Sequence, residues 1–570
     1  MLYFISVWTL LLIGCYSCGL GLLNLLEIKI SRENSPFSRL GDRVIISTWL
    51  GMLAISIGLL AIALFIPLSP SIGCLVFSIL LLISLRSRST RLEIFALYRQ
   101  ISRTQILVYL GVAIAIATRY AQPVQWYDSG LYHYSLLRWL SNFGTVPGLA
   151  LLFANLGFTS AWFAFSAPLN PDWSIDRTGA TANGFVFLLV VLHVALCGWR
   201  LIRQQGRLSD WFVVIYDSCL LLFMTIRISV MPDILVSPSP DIAAVLMVAV
   251  VAWTILVIET EDITERFTLS RQIVPLFLAV GAVSIKLTTL PLLFVTGLWF
   301  LIRAGYNPHI IQRMAIAAAA TLLLTPLLLS NLVTSGCPLY PSTAFCLDLP
   351  WTVRGDLRIA NDTHHWIDWY GKPPAGIHPW LWAFQHWLKN SGKKASSLTM
   401  AISAGCAIYL LKTRQLSAID RLTSIWQIEI ACVGISFFLL TSPLNRFMVP
   451  YLFLLPGFAV ATYCHTRFST NPIGAKVSIE RTTPVAIFLL LIVAIATTLQ
   501  VRSNYLMLIL PPAIDRFTTV EHQVNDVIYL SPVDGKNRGC WTNELPCAYD
   551  PTQVKLRDPS QGIKAGFVRS

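Results

Sequence analysis

The chain has 570 residues, 55% of them hydrophobic and only 12% charged, whereas soluble domains carry about 25% charged residues. That balance excludes an ordinary soluble enzyme and implies an all-α polytopic membrane protein. The formal net charge of +13 does not point to nucleic acid, because the basic residues stand in short clusters beside apolar runs, the pattern that orients membrane proteins.

At the N-terminus, Met1–Leu23 has no basic n-region, and its positive flank (Lys29, Arg32, Arg39, Arg43) follows the apolar run. It reads as a first span with its N-terminus outside rather than as a signal peptide. Apolar runs then predict about fourteen spans in all. They begin with Leu2–Leu25, Val44–Pro67, Ile72–Leu85 and Gln105–Thr118, pass through Ile273–Ile285 and Leu290–Ile302, and end at Val485–Leu499. Alternation places Arg86, Arg88, Arg91, Arg99 and Arg103 on one side, with Arg200, Arg203, Arg207, Lys412, Arg414, Arg421, Arg467, Lys476 and Arg481. Basic residues concentrate on the cytoplasmic side. The long segments 121–183, 231–241, 331–397 and 501–570 therefore face outwards, and function is expected there. The chain divides into a three-span segment, 1–104, a core, 105–500, and an exoplasmic tail, 501–570.

The first outer loop, Gln122–Leu169, is the most informative. Asp128 stands in it framed by Trp126, Tyr127 and Tyr132. Ser129–Phe143 reads as an interfacial helix with His133, Leu136, Leu137 and Leu140 on one face. Gly144, Pro147 and Gly148 break it, and Leu149–Phe165 is too interrupted to be a clear span. Two readings of Asp128 compete: a general base whose basicity rises beside aromatic walls, or an N-cap of the following helix.

Later residues divide similarly. Asp241 closes SPSPD at the outer end of a span, as a cap or as a second site acid, while Asp233 reads as a solvated loop acid. Lys286, in SIKLTTLP, is a single cation in an apolar stretch, either functional or in water at a break in the span. Arg446, in TSPLNRF, either snorkels to headgroups or uses its fork of donors on a phosphate. In the third outer loop, His364, His365, His378 and His386 stand near Asp362 and Asp368 without HExxH or similar spacing. The aromatics Trp366, Trp369, Tyr370, Trp380 and Trp382 there suit sugar better than the histidines suit metal. Cys337/Cys346 and Cys540/Cys547 form two close pairs on the oxidising side, consistent with disulfides; neither has the CxxC spacing that favours metal.

The stretch DSGLYHYSLLRWLSNFGTVPGLALLFANLGF, with SPSPD, SGCPLYPS, SPLNRF and CWTNELPC, resembles a bacterial family of large polytopic membrane proteins. The layout of an acid in the first large outer loop, followed by an interfacial helix, resembles the GT-C glycosyltransferases that use polyprenyl-phosphate-linked sugars. The likeness runs from Gln105 to Cys547. It departs where a three-span segment, 1–104, precedes the span that leads into the acid loop, and where Ser129 rather than a second acid follows Asp128. The resemblance implies inverting sugar transfer at the outer face of the bacterial plasma membrane. Asp128 would be the base, and Arg446 with Lys286 would stabilise the departing lipid phosphate. Asp241, His133, Trp126 and Tyr132 would line the substrate site. The implied partners are the bilayer, a polyprenyl-phosphate sugar and a glycan, lipid or protein acceptor, with no nucleic acid. No cofactor is implied, and a divalent metal lacks ligand spacing. The competing expectations are a polysaccharide polymerase or flippase, and a non-catalytic scaffold.

Overall fold

A computed structural model describes residues 1–27, 37, 39–174, 176–226, 229–260, 269–303, 310–353, 366–390, 394–412, 418–470, 509–514, 517–534, 539–549, 551 and 554–570. The chain is a helical, multi-pass membrane protein. Among the described residues nine helices are long and apolar enough to cross a bilayer, and two shorter apolar ones, Gln272–Ile285 and Leu287–Arg303, lie beside them. The predicted span Val485–Leu499 lies outside the described residues, as do His364, His365 and Asp362.

Helix α1 (Leu2–Glu27) carries no charge before its last residue, so nothing opposes its burial in hydrocarbon. It packs on α2 (Leu40–Ala63) through Gly19 and Gly51. A Cβ on Gly19 would stand 1.7 Å from the Ser47 carbonyl oxygen, and one on Gly51 would stand 1.8 Å from that of Cys15. The two backbones touch, as small residues permit between membrane helices. Helix α3 (Pro70–Arg86) starts with Pro at its first position and Ser69 Oγ accepting from Ile72 N. It ends in a 98° bend into α4 (Arg88–Gln100). Helix α5 (Arg103–Tyr120) opens with a Ser102/Gln105 capping box.

The centre of the bundle is the helix Asp241–Thr260, whose apolar window is wholly enclosed by protein. A helix that is hydrophobic all round can only be satisfied in this way. Around it stand the helices Thr181–Ile202, Leu269–Ile285, Ala418–Thr441 and Asn445–Thr470. Its first residue is Asp241, so the axis of the molecule begins at an acid.

At the opposite end, ion pairs hold the helix termini. Arg200 bridges Asp42 and Asp210, the latter at 3.0 Å, and Arg39 meets Asp210 at 2.8 Å. Glu259 accepts from Trp299 Nε1 at 2.7 Å and pairs with Arg303. Removing one member leaves a buried charge uncompensated. Arg200→Gln is therefore expected to cost about 3–5 kcal/mol, read as a lower thermal unfolding midpoint in detergent; an unchanged midpoint would show that packing alone holds this end.

The helix expected over Ser129–Phe143 forms with a wide first turn: a π-helical turn, Ser129–His133, runs without a break into α6 (Tyr134–Asn142). Leu149–Phe165 is, as its interruptions predict, no single span: it forms three short turns, Leu149–Leu152, Ala154–Gly157 and Ala161–Ser166. The tail is not featureless. Strand β1 (Thr519–Val524) pairs antiparallel with β2 (Val527–Pro532), and β3 (Lys555–Leu556) with β4 (Phe567–Val568). Disulfides join Cys337 to Cys346 and Cys540 to Cys547.

Candidate functional site

Four charged side chains, far apart in sequence, meet at one end of the central helix. Lys286 Nζ donates to Asp241 Oδ1. Arg446 lies between the two acids, with Nη1 3.4 Å from Asp128 Oδ2 and Nε 3.6 Å from Asp241 Oδ2. Its guanidinium is 5.1 Å from the Trp126 ring centre and 4.9 Å from that of Phe447, over which Lys286 also sits at 4.2 Å. Two carboxylates and two cations balance in charge. Asp241 is buried, at 4% side-chain exposure, while Asp128, Lys286 and Arg446 keep an open side.

Each is presented by a distinct local device. Pro238 and Pro240 stiffen the entry to Asp241, and Asn183 fixes it by donating to the carbonyls of Ser237 (2.6 Å) and Ser239 (3.0 Å). Asn183 is itself held by Trp162 Nε1 at 3.1 Å. Lys286 is the extended residue that ends the helix Leu269–Ile285. The Ile285 carbonyl just before it accepts from Ser160 Oγ. So Lys286 does stand at a break, but the break turns it towards Asp241, and it is not simply a cation in water. Arg446 is in the first turn of Asn445–Thr470. Trp387 Nε1 supports the preceding turn by donating to the Pro443 carbonyl at 3.1 Å.

Asp128 has helical backbone angles (φ −61°, ψ −23°) and caps no backbone N–H. The N-cap reading fails here because the chain is already helical at Asp128, one residue before the π turn, and its carboxylate turns to Arg446 instead. Such wide turns recur at functional sites. Burial raises the Asp128 carboxyl above the usual carboxylate range; Arg446 opposes this and Asp241 adds to it. Tyr132 packs on Phe158 and Phe163. Burial, with the nearby Asp128 and Asp241, holds its phenol well above the ordinary value, so it stays protonated. His133 is buried against Phe163, and burial pushes its imidazole down to about 3. It is a neutral wall residue and makes no hydrogen bond through Nδ1.

Below the Asp241–Lys286 pair a narrow cleft runs between helices. Asp241, Ala244, Val245 and Val248 form one side, with Phe438, Phe447, Pro450 and Tyr451 opposite. From Asp241 to Val248 it descends about 10 Å along the helix axis. A larger opening of about 340 Å³, beside Leu136, Trp139 and Phe163, has no charged side chain on its wall. The smaller cleft, with charges at its mouth, is the better candidate.

The tail covers this site in a way the sequence does not announce. Trp541 N donates to the Gly130 carbonyl at 2.9 Å, and a Cβ on Gly130 would lie 2.2 Å from the Trp541 ring. Arg138 donates to the Thr542 carbonyl at 2.8 Å and also to that of Asn543. The Cys540–Cys547 bond closes the loop that carries these residues, and their partner Gly130 is two residues after Asp128 in sequence. The third-loop aromatics are elsewhere. Trp380, Trp382 and His386 belong to the helix Pro379–Lys389, where the Trp382 and His386 rings meet tilted at 3.9 Å and His378 caps the helix. Trp387 links that helix to the Arg446 turn. Among the described residues no group of three or more His, Cys, Asp or Glu side chains is placed to hold a metal ion.

Over residues 1–453 the chain matches the model of one protein family, described as a domain of unknown function, DUF8201. No curated protein and no solved structure matches it.

Proposed function

We propose that this chain, which belongs to the DUF8201 family, is an inverting glycosyltransferase of GT-C layout with about fourteen spans. It would move a sugar from a polyprenyl-phosphate donor to an acceptor at the outer face of the bacterial plasma membrane. The observation that carries the reading is the cluster of Asp128, Arg446 and Lys286 around Asp241, of which Asp241 and Lys286 also line an otherwise largely apolar cleft. A polyprenyl phosphate has the matching form, an anionic head on an apolar chain.

In this reading the isoprenoid lies against Ala244, Val245 and Val248, and its phosphate meets Arg446 and Lys286. The acceptor O–H gives its proton to the Asp128 carboxylate while its oxygen attacks the anomeric carbon. The bond from that carbon to the phosphate oxygen breaks, and the electron pair leaves on the phosphate, where the cations stabilise it. Asp241 would hold Lys286 and Arg446 in place before the donor arrives. The test is release of free polyprenyl phosphate, together with glycosylated acceptor, from a panel of polyprenyl-phosphate sugars in proteoliposomes. Binding of every donor without release would remove the transferase reading.

The outward orientation has its own check. Phe567 N donates to the Pro147 carbonyl at 2.9 Å, so the C-terminus lies on the same side as Asp128. Reporter fusions after Ser570 should be active outside the cell, and insertions at Gly206, near the Arg200 network, only inside. A cytoplasmic Ser570 would overturn the proposed face of action.

A further inference from the structure

The end of the bundle far from Asp128 carries a surface that sugar transfer does not use. At Ser87 the chain stops crossing and turns by 98°. Ser87 Oγ accepts from Thr90 N at 3.4 Å to start α4, and Arg91 closes the end of α3 by donating to the carbonyls of Leu85 (2.7 Å) and Arg86 (3.2 Å). A right-angle bend at the end of a membrane helix lays the next helix in the plane of the surface.

One side of α4 is fixed to protein. Asn24 donates to Thr90 Oγ1 at 3.2 Å, and Arg43 pairs with Glu93 at 2.8 Å. The other side is bare: Leu92 is 54% exposed, Phe95 51% and Tyr98 74%. This apolar face continues the flank of α3, where Leu75, Ile79 and Leu82 are also exposed. Around it stand Arg86, Arg88, Arg91, Arg99 and Arg103, all exposed. The only acid of that stretch, Glu93, is held by Arg43. Arg99 lies 4.2 Å over the Phe95 ring, so cation and aromatic form one patch.

We propose that α4 is an interfacial helix that binds anionic phospholipid headgroups of the leaflet on this side. Leu92 and Phe95 enter the headgroup–acyl boundary, and Arg88 and Arg99 pair with lipid phosphate. Buried apolar area with flanking cations is what such binding requires, and juxtamembrane arginines favour an anionic leaflet. A protein partner would need acidic groups to match the same five arginines; the continuity with the lipid-facing side of α3 favours lipid.

The test uses the full chain in nanodiscs of equal phosphatidylglycerol and phosphatidylcholine, with a photoreactive phenylalanine analogue replacing Phe95 or, as control, Leu82. The expected result is lipid adducts at both positions. At Phe95 phosphatidylglycerol adducts should exceed phosphatidylcholine adducts by about fivefold, the preference one added arginine contact confers, with no such excess at Leu82. Arg88→Gln with Arg99→Gln should bring the Phe95 ratio down to the Leu82 value while leaving the yield at Leu82 unchanged. Lipid adducts at Leu82 but none at Phe95 would overturn the proposal, as would an equal ratio at Phe95 in the unsubstituted chain. Adducts to a protein instead of lipid in native membranes would also overturn it.

Discussion

On the proposed transferase reading, Asp128→Asn is expected to lower the transfer rate by about 10²–10⁴, the usual loss on removing a general base, while donor binding persists. The substitution keeps size and a hydrogen-bonding oxygen for Arg446. It removes only the capacity to accept a proton and the negative charge. A capping role cannot explain the loss, because Asp128 caps no backbone N–H. The same carboxyl sets the pH dependence. Burial raises it above the usual range, so transfer falls as pH drops through a value above about 3.9, and the Asn variant lacks that limb. Stability runs the other way. The folded protein holds this proton to higher pH than the unfolded chain, so the contribution of Asp128 to stability is present at low pH and is lost as pH rises through its folded value. Activity profiles and unfolding midpoints across pH, measured on both proteins, separate the two effects. An Asn variant that turned over at the unsubstituted rate would favour a polymerase relying on arginine and would leave Asp128 without a chemical role.

The membrane helices were legible because the signal is local: α1 and the central helix are unbroken apolar runs, and chain length alone measures them. Asp128, Asp241, Lys286 and Arg446 were each visible as charged residues at the edge of such runs. That they meet was not visible, since residues 128 and 446 are joined only by the packing of many helices. Lys286 shows the limit well. As a lone cation it could equally stand in water, and only the turn after Ile285, held by Ser160, decides that it faces Asp241. The Trp541–Gly130 contact left no local trace, because a Trp in a tail and a Gly in a loop have no periodicity to reveal their pairing. Helix α4 was hidden for another reason. Its arginines read as an ordinary cytoplasmic turn, and its apolar residues are too few for a span.

Arg446→Lys tests the other half of the site, where charge stays and geometry goes. Arg446 reaches Asp128 and Asp241 at once, through Nη1 and Nε, which requires a planar fork. A lysine is a compact point charge on a flexible stem and can satisfy one acid at a time. It also loses the flat face that lies over Trp126 and Phe447. Asp128 would then keep less of the opposing cation that holds its carboxyl down, and the departing phosphate would lose one directed donor pair. Loss of such a donor costs about 10²–10³ in rate, so kcat should fall by that order with a smaller change in donor affinity. Arg446→Gln, which removes the charge as well, should weaken both. The discriminating measurement is donor binding against single-turnover transfer for the two variants. If Lys restored full transfer, the cation would act by charge alone, and bidentate recognition of the lipid phosphate would be the part of the mechanism to abandon.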